Sequence, residues 1–116
     1  MTIMYGIPNC DTVKKARKWL TEHNIEYRFH DYKKQEVDTK VLMQAISAFG
    51  SDTVVNKRGT TYRQLDDQVK ANINDKSAIE ILTKHPSMIK RPILVHNDTL
   101  LIGFKVEEYE QVFTGA

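Results

Sequence analysis

Cysteine is almost missing from this chain: of 116 residues, Cys10 alone carries a thiol. One thiol cannot close an internal disulfide, so a disulfide-stapled secreted fold is excluded, and so is a four-cysteine zinc site. The histidines do not fill the gap. His23, His30, His85 and His96 give no local pair at metal-ligand spacing, and no metal is expected. Long apolar runs are also missing. Nothing approaches the roughly 20 residues that cross a bilayer, and the opening Met1–Gly6 has no basic or apolar region of the kind a secretory signal needs. Neither sign of charge dominates: 17 Lys and Arg stand against 15 Asp and Glu, a formal net charge of +2. That balance leaves no electrostatic footprint for nucleic acid. The expectation is a chain that works in the cytoplasm as a monomer, with neither membrane nor nucleic acid as partner.

Hydrophobic residues make up 41% and charged residues 28%, which argues for an ordered globular chain, and the length allows one domain over residues 1–116. Thr2–Tyr5 reads as a short buried strand that ends in a turn at Gly6 and Pro8. Asn9, Cys10, Asp11 and Thr12 open a helix, with Asn9 and Asp11 as capping residues and Val13, Ala16 and Leu20 at helical spacing. Ile25, Tyr27 and Phe29 alternate with polar residues and predict a second strand, parallel to the first across the helix. Residues 31–37 carry no element. Asp38 caps the next helix, with Val41, Leu42, Ala45, Ile46 and Phe49 as its apolar stripe. Gly50 is placed to end it in a left-handed conformation. Weaker signals predict helical turns around 51–55 and 61–66, joined at Arg58-Gly59-Thr60. Asn74 or Asp75 caps a further helix with Ala78, Ile79 and Leu82 inward. Ile93–Val95 and Leu100–Ile102 form a hairpin across Asn97-Asp98. Val106, Tyr109 and Phe113 mark a closing helix. The order is β-α-β, a helical insertion over about 36–88, then β-β-α.

Cys10 lies where the first strand passes into the first helix. Unpaired backbone N–H groups and the helix dipole favour an anion there, and the thiolate is the reactive form of cysteine. Lys14, four residues on, is placed to add a positive field. By position alone Cys10 is equally a reactive thiolate or a small buried hydrophobe. The basic run Lys14, Lys15, Arg17 and Lys18 reads as a solvated helix face before a binding patch.

The segment Tyr5-Gly6-Ile7-Pro8-Asn9-Cys10-Asp11-Thr12-Val13-Lys14-Lys15-Ala16 resembles the active-site segment of the arsenate reductase-like (ArsC/Spx) family, in particular its YffB-type branch. Tyr27–Tyr32, Asn56–Arg63 and Ile89–Leu94 agree in the same order, and Gly103-Phe104 and a terminal helix follow. The resemblance implies an α/β, thioredoxin-like fold with a helical insertion between its halves. It implies Cys10 as nucleophile, with Arg58 and Arg91 as the arginines that hold an oxyanion. Guanidinium groups suit that role and also keep a nearby thiolate ionised. Position alone reads Arg58 as a loop-capping or surface ion-pair residue and Arg91 as a strand flank. The resemblance also implies a cis peptide bond before Pro92 and a site for a peptide-like partner such as glutathione at Asn9, Asp11, Thr12, Lys14, Arg91 and Pro92.

Two departures from the family pattern matter. The arsenate reductases have a third arginine after the last strand, where this chain has Phe104 beside Lys105. Spx-type regulators often carry a Cys-x-x-Cys switch, and here Val13 stands in the second cysteine's place. The implied activity is a glutathione-dependent monothiol reductase with no bound cofactor, glutathione as co-substrate and glutaredoxin as a possible reducing partner. The alternative is an Spx-like regulator that binds RNA polymerase or another protein, with Tyr62, Tyr109 or Phe104 as contact residues. A family member without chemistry is a third reading.

Overall fold

Thr2–Gly6 forms β1, and the chain leaves it through an exposed Pro8-Asn9 turn into α1, Asp11–Glu22. Val13, Ala16, Trp19 and Leu20 are buried along one face of α1, while Lys14, Lys15 and Lys18 are exposed. The N-cap is Cys10 itself, not the expected Asn9 or Asp11; Asp11 falls in the first turn, where its charge suits the helix dipole. Arg17 leaves the basic face: its Nε donates to the Tyr27 hydroxyl at 2.9 Å and its guanidinium lies 4.2 Å from the Phe29 ring centroid. At the far end the Trp19 and His23 rings stack at 3.9 Å, and His23 Nδ1 lies 2.8 Å from the Trp19 carbonyl oxygen. The second strand, β2, is Arg28–Asp31. It begins later than the alternation at Ile25 suggests, because its pairing with β1 starts only at Ile3↔Arg28. Ile25 and Tyr27 still pack on the core without being strand.

The computed structural model describes residues 1–115, which fall into two compact units. Met1–Gln35 and the chain from Arg91 onward make one, and Glu36–Lys90 makes the other. The second unit is helical: α2 (Thr39–Phe49), α3 (Ser51–Val54), α4 (Thr60–Arg63), α5 (Asp67–Ala71) and α6 (Asp75–Lys84), then a 3-10 turn at Pro86–Met88. The Asp38 carboxylate accepts from the N–H groups of Lys40 and Val41, a regular N-cap. Asn74 caps α6 through a reciprocal pair with Ser77. Leu42, Ala45 and Ile46 of α2 are buried, as are Ala78 and Leu82 of α6, and the two helices pack on each other. Val55 and Ile89 form an antiparallel bridge. One expectation fails here and one element was not expected. Gly50 has φ 86 but ψ 151, so it joins α2 to α3 in an extended positive-φ conformation open chiefly to glycine, not in the left-handed one. The helix α5 buries no residue, so it left no apolar periodicity to read.

After Arg91-Pro92 the chain returns to the first unit as β3 (Ile93–His96) and β4 (Thr99–Ile102), joined at Asn97-Asp98 with Asn97 at φ 53, and ends in α7, Val106–Thr114. The sheet order is β2-β1-β3-β4, with β1 and β2 parallel and the other pairs antiparallel. This is a thioredoxin-like fold. One face of the sheet carries the core of this unit: Met4 and Leu94 with Val13, Ala16, Trp19 and Leu20 of α1 and Tyr109 of α7. Tyr109 is 0% exposed, which removes it as a protein-contact residue, and Val106 is exposed rather than inward.

Candidate active site at Cys10

Strand direction brings four connections to one end of the sheet. β1 ends at Gly6, and β2, parallel to it, ends at Asp31 beside it. β3 begins at Ile93 opposite Tyr5, and β4 ends at Ile102 opposite Ile93. The segments that leave or enter there are therefore Ile7–Cys10, Tyr32–Gln35, Arg91-Pro92 and Gly103–Lys105. Backbone hydrogen bonds tie them: Tyr32 N–H donates to the Gly6 carbonyl at 2.9 Å and Gly103 N–H to the Pro92 carbonyl at 2.9 Å. The Arg91–Pro92 peptide is cis, and Pro92 is buried.

Gly6 makes the close approach possible. A Cβ there would lie 2.9 Å from Val13 Cγ2, so any side chain would press on Val13 near the start of α1, while Arg91 Cβ at 4.0 Å would be in ordinary contact. Cys10 is half-buried and packs on the core cluster of this unit. Burial alone would push its thiol up, yet the thiol is held below its ordinary value. The backbone N–H of Val13, the hydrogen bond and charge of the Arg91 side chain, and the N–H of Thr12 outweigh the desolvation. The Cys10 side chain makes no regular cap hydrogen bond, but these are the N2 and N3 donors that a cap would use. The sulfur thus occupies the anion position of a helix start.

The structure brings Cys10, Arg91 and Pro92 together. Thr12 takes part through its backbone, while Asn9, Asp11 and Lys14 are exposed around the same turn. The groups that lower the thiol are Val13, Arg91 and Thr12, so the field expected from Lys14 is not what ionises it. Arg58 belongs to the other unit, on an exposed turn where its N–H donates to Asn56 Oδ1 at 3.2 Å. Sequence reasoning missed the steric role of Gly6, for which a glycine ending a strand just before the Cys10 turn was the available signal. It named Phe104 as a contact residue and as standing in the third arginine's place, but missed that its ring packs edge-on against Tyr109 at 4.8 Å. Among the described residues no group of three or more His, Cys, Asp or Glu could hold a metal ion, and no helix is long and apolar enough to cross a membrane.

The ArsC family model matches residues 5–112. The chain belongs to the ArsC family. An uncharacterized protein of Haemophilus influenzae is 50% identical over 97% of this ArsC-family chain and 99% of its own length. The global transcriptional regulator Spx of Streptococcus pyogenes is 26% identical over 93% and 81%. Among solved structures, a YffB protein superposes with a TM-score of 0.90 at 46% identity, covering 94% of this chain and 96% of that one. An arsenate reductase (ArsC) related protein from Brucella melitensis does so with a TM-score of 0.73 at 44% identity, covering 97% and 93%. Membership thus sets the chain among thiol-based reductases and Spx-type regulators and leaves its own reaction to be argued from the site.

Proposed function

We propose that this chain is a glutathione-dependent monothiol reductase with Cys10 as nucleophile. The observation that carries this reading is the Cys10 sulfur, met by the Arg91 side chain and the N–H groups of Val13 and Thr12, which hold its thiol low despite burial. The thiolate attacks one sulfur of a disulfide; that S–S bond breaks, a Cys10 mixed disulfide forms and the other sulfur leaves as a thiolate. With one cysteine in the chain, no internal thiol can resolve the adduct. An external glutathione thiolate then attacks the substrate sulfur, frees Cys10 and carries the substrate away as a glutathione mixed disulfide, which glutaredoxin can reduce. Arg91 holds a carboxylate of the anionic partner, and Asn9, Asp11, Thr12, Lys14 and Pro92 line its path. No bound cofactor enters, and the reaction suits a cytoplasmic monomer in a reducing pool.

The test is incubation with oxidised glutathione followed by mass spectrometry. One glutathionyl adduct on Cys10, absent in Cys10→Ser and discharged by reduced glutathione, supports the reading; an unmodified Cys10 ends it. The likeness to Spx favours a second reading, a protein-binding regulator of RNA polymerase, and Val13 in place of a second cysteine removes an intramolecular disulfide switch from it. Stoichiometric binding to purified polymerase that survives Cys10→Ser would select that reading instead.

A further inference from the structure

Phe104 has a place and a rigidity that the packing of α7 does not fully use. It stands one residue before the α7 N-cap, Lys105, and its ring meets Tyr109 edge-on at 4.8 Å and 87°, the pairing of a hydrophobic staple. Tyr109 is fully buried and is itself held edge-on by Trp19 at 5.4 Å. The Phe104 ring is therefore anchored from behind, yet it stays half-exposed. The hydrogen bond from Gly103 N–H to the Pro92 carbonyl ties its segment to the one that carries Arg91. Phe104 and Cys10 pack against the same buried cluster, and both lie at the end of the sheet where β1 stops and β3 starts. The other half-buried rings on this cluster lie elsewhere: Tyr27 and Phe29 along β2 and its approach, and Phe113 against His96 at the opposite end of β3. Arg91 and helix N–H groups meet the sulfur, and Phe104 holds a preformed aromatic surface at the same end of the sheet.

We propose that Phe104 is a specificity-determining residue of the Cys10 site: its exposed face packs against the carbon atoms that flank the sulfur under attack. The site then favours disulfides of extended organic thiols over small hydrated oxyanions, which have no carbon to lay on a ring. This rests on the reductase reading and names the substrate class it serves. When Cys10 thiolate attacks, the substrate S–S bond breaks, the Cys10–S bond forms, and the leaving thiolate takes a proton from water; the ring only aligns the reacting sulfurs and excludes water from them.

The test compares Phe104→Ala, Phe104→Leu and Phe104→Gln with the parent chain, using oxidised glutathione as the extended disulfide and iodoacetamide as a small electrophile that reports the thiolate alone. Phe104→Ala and Phe104→Gln are expected to slow mixed-disulfide formation by about tenfold, the scale of a lost apolar contact in a specificity pocket. Alkylation by iodoacetamide should stay unchanged, and Phe104→Leu should recover most of the disulfide rate. If Phe104→Ala unfolds, the Leu and Gln variants decide between them. Equal slowing of both reagents makes Phe104 a purely structural staple and overturns the proposal, and so does no change with either. A parent chain that forms no mixed disulfide brings down the reductase reading itself, a different result from a reactive parent whose selectivity ignores position 104.

Discussion

Two local effects compete at Cys10. Partial burial disfavours the charged sulfur, while the helix-start N–H groups and Arg91 favour it, and the donors win. The sign is simple: the thiol gives up its proton at lower pH than a free cysteine, so alkylation should rise with pH and level off early. Arg91→Ala removes a hydrogen bond and a charge but leaves the burial. Its alkylation profile should shift to higher pH, with a lower thiolate fraction at every pH on the rising limb; an unchanged profile would remove Arg91 from the account. Gly6→Ala tests the close approach. Val13 is fully buried and cannot easily give way to the new methyl group. A urea titration should show a loss of about 1–3 kcal/mol. Position alone read Arg91 as a strand flank, and only the family resemblance named it; the place of Cys10 at a helix start was legible, because it is local information. The crowding at Gly6 and the ring contact of Phe104 were not, since each depends on segments far apart in the chain.

Helices with a buried stripe were readable, and those without one left at most weak signals, capped or uncapped. The Asp38 cap and the α2 stripe stand as expected, and Asp38→Ala should cost about 1 kcal/mol in thermal or urea unfolding. A variant as stable as the parent would mean that the cap adds nothing to the second unit. α5 was invisible because it has a cap, Asp66, but no buried face. β2 was drawn too long because Ile25 and Tyr27 keep the alternation of a strand after its partner has run out. In α7 the expected spacing of Val106, Tyr109 and Phe113 held for the last two only. The residue that packs on Tyr109 from the helix start is Phe104, outside the helix.

Across the whole molecule two of the three strand pairings followed from sequence logic: a helical crossover makes β1 and β2 parallel, and a two-residue turn makes β3 and β4 a hairpin, whereas the antiparallel join of β1 to β3 was not read from the residues. Charge is nearly balanced at +2, so the recognition of an anionic disulfide proposed above would rest on contacts at Arg91, not on a long-range field. The rate of adduct formation with oxidised glutathione should then change by less than about threefold between low and physiological salt; a steep fall would reveal an extended cationic surface. The stack of Trp19 on His23 has an optical consequence. The chain's sole indole is in ring contact with an exposed imidazole. The imidazole covers one face of the fluorophore and keeps water from it. His23→Gln should therefore move the emission to longer wavelength while the protein is still folded, so that the molecule carries its own gauge of whether the end of the first helix is intact.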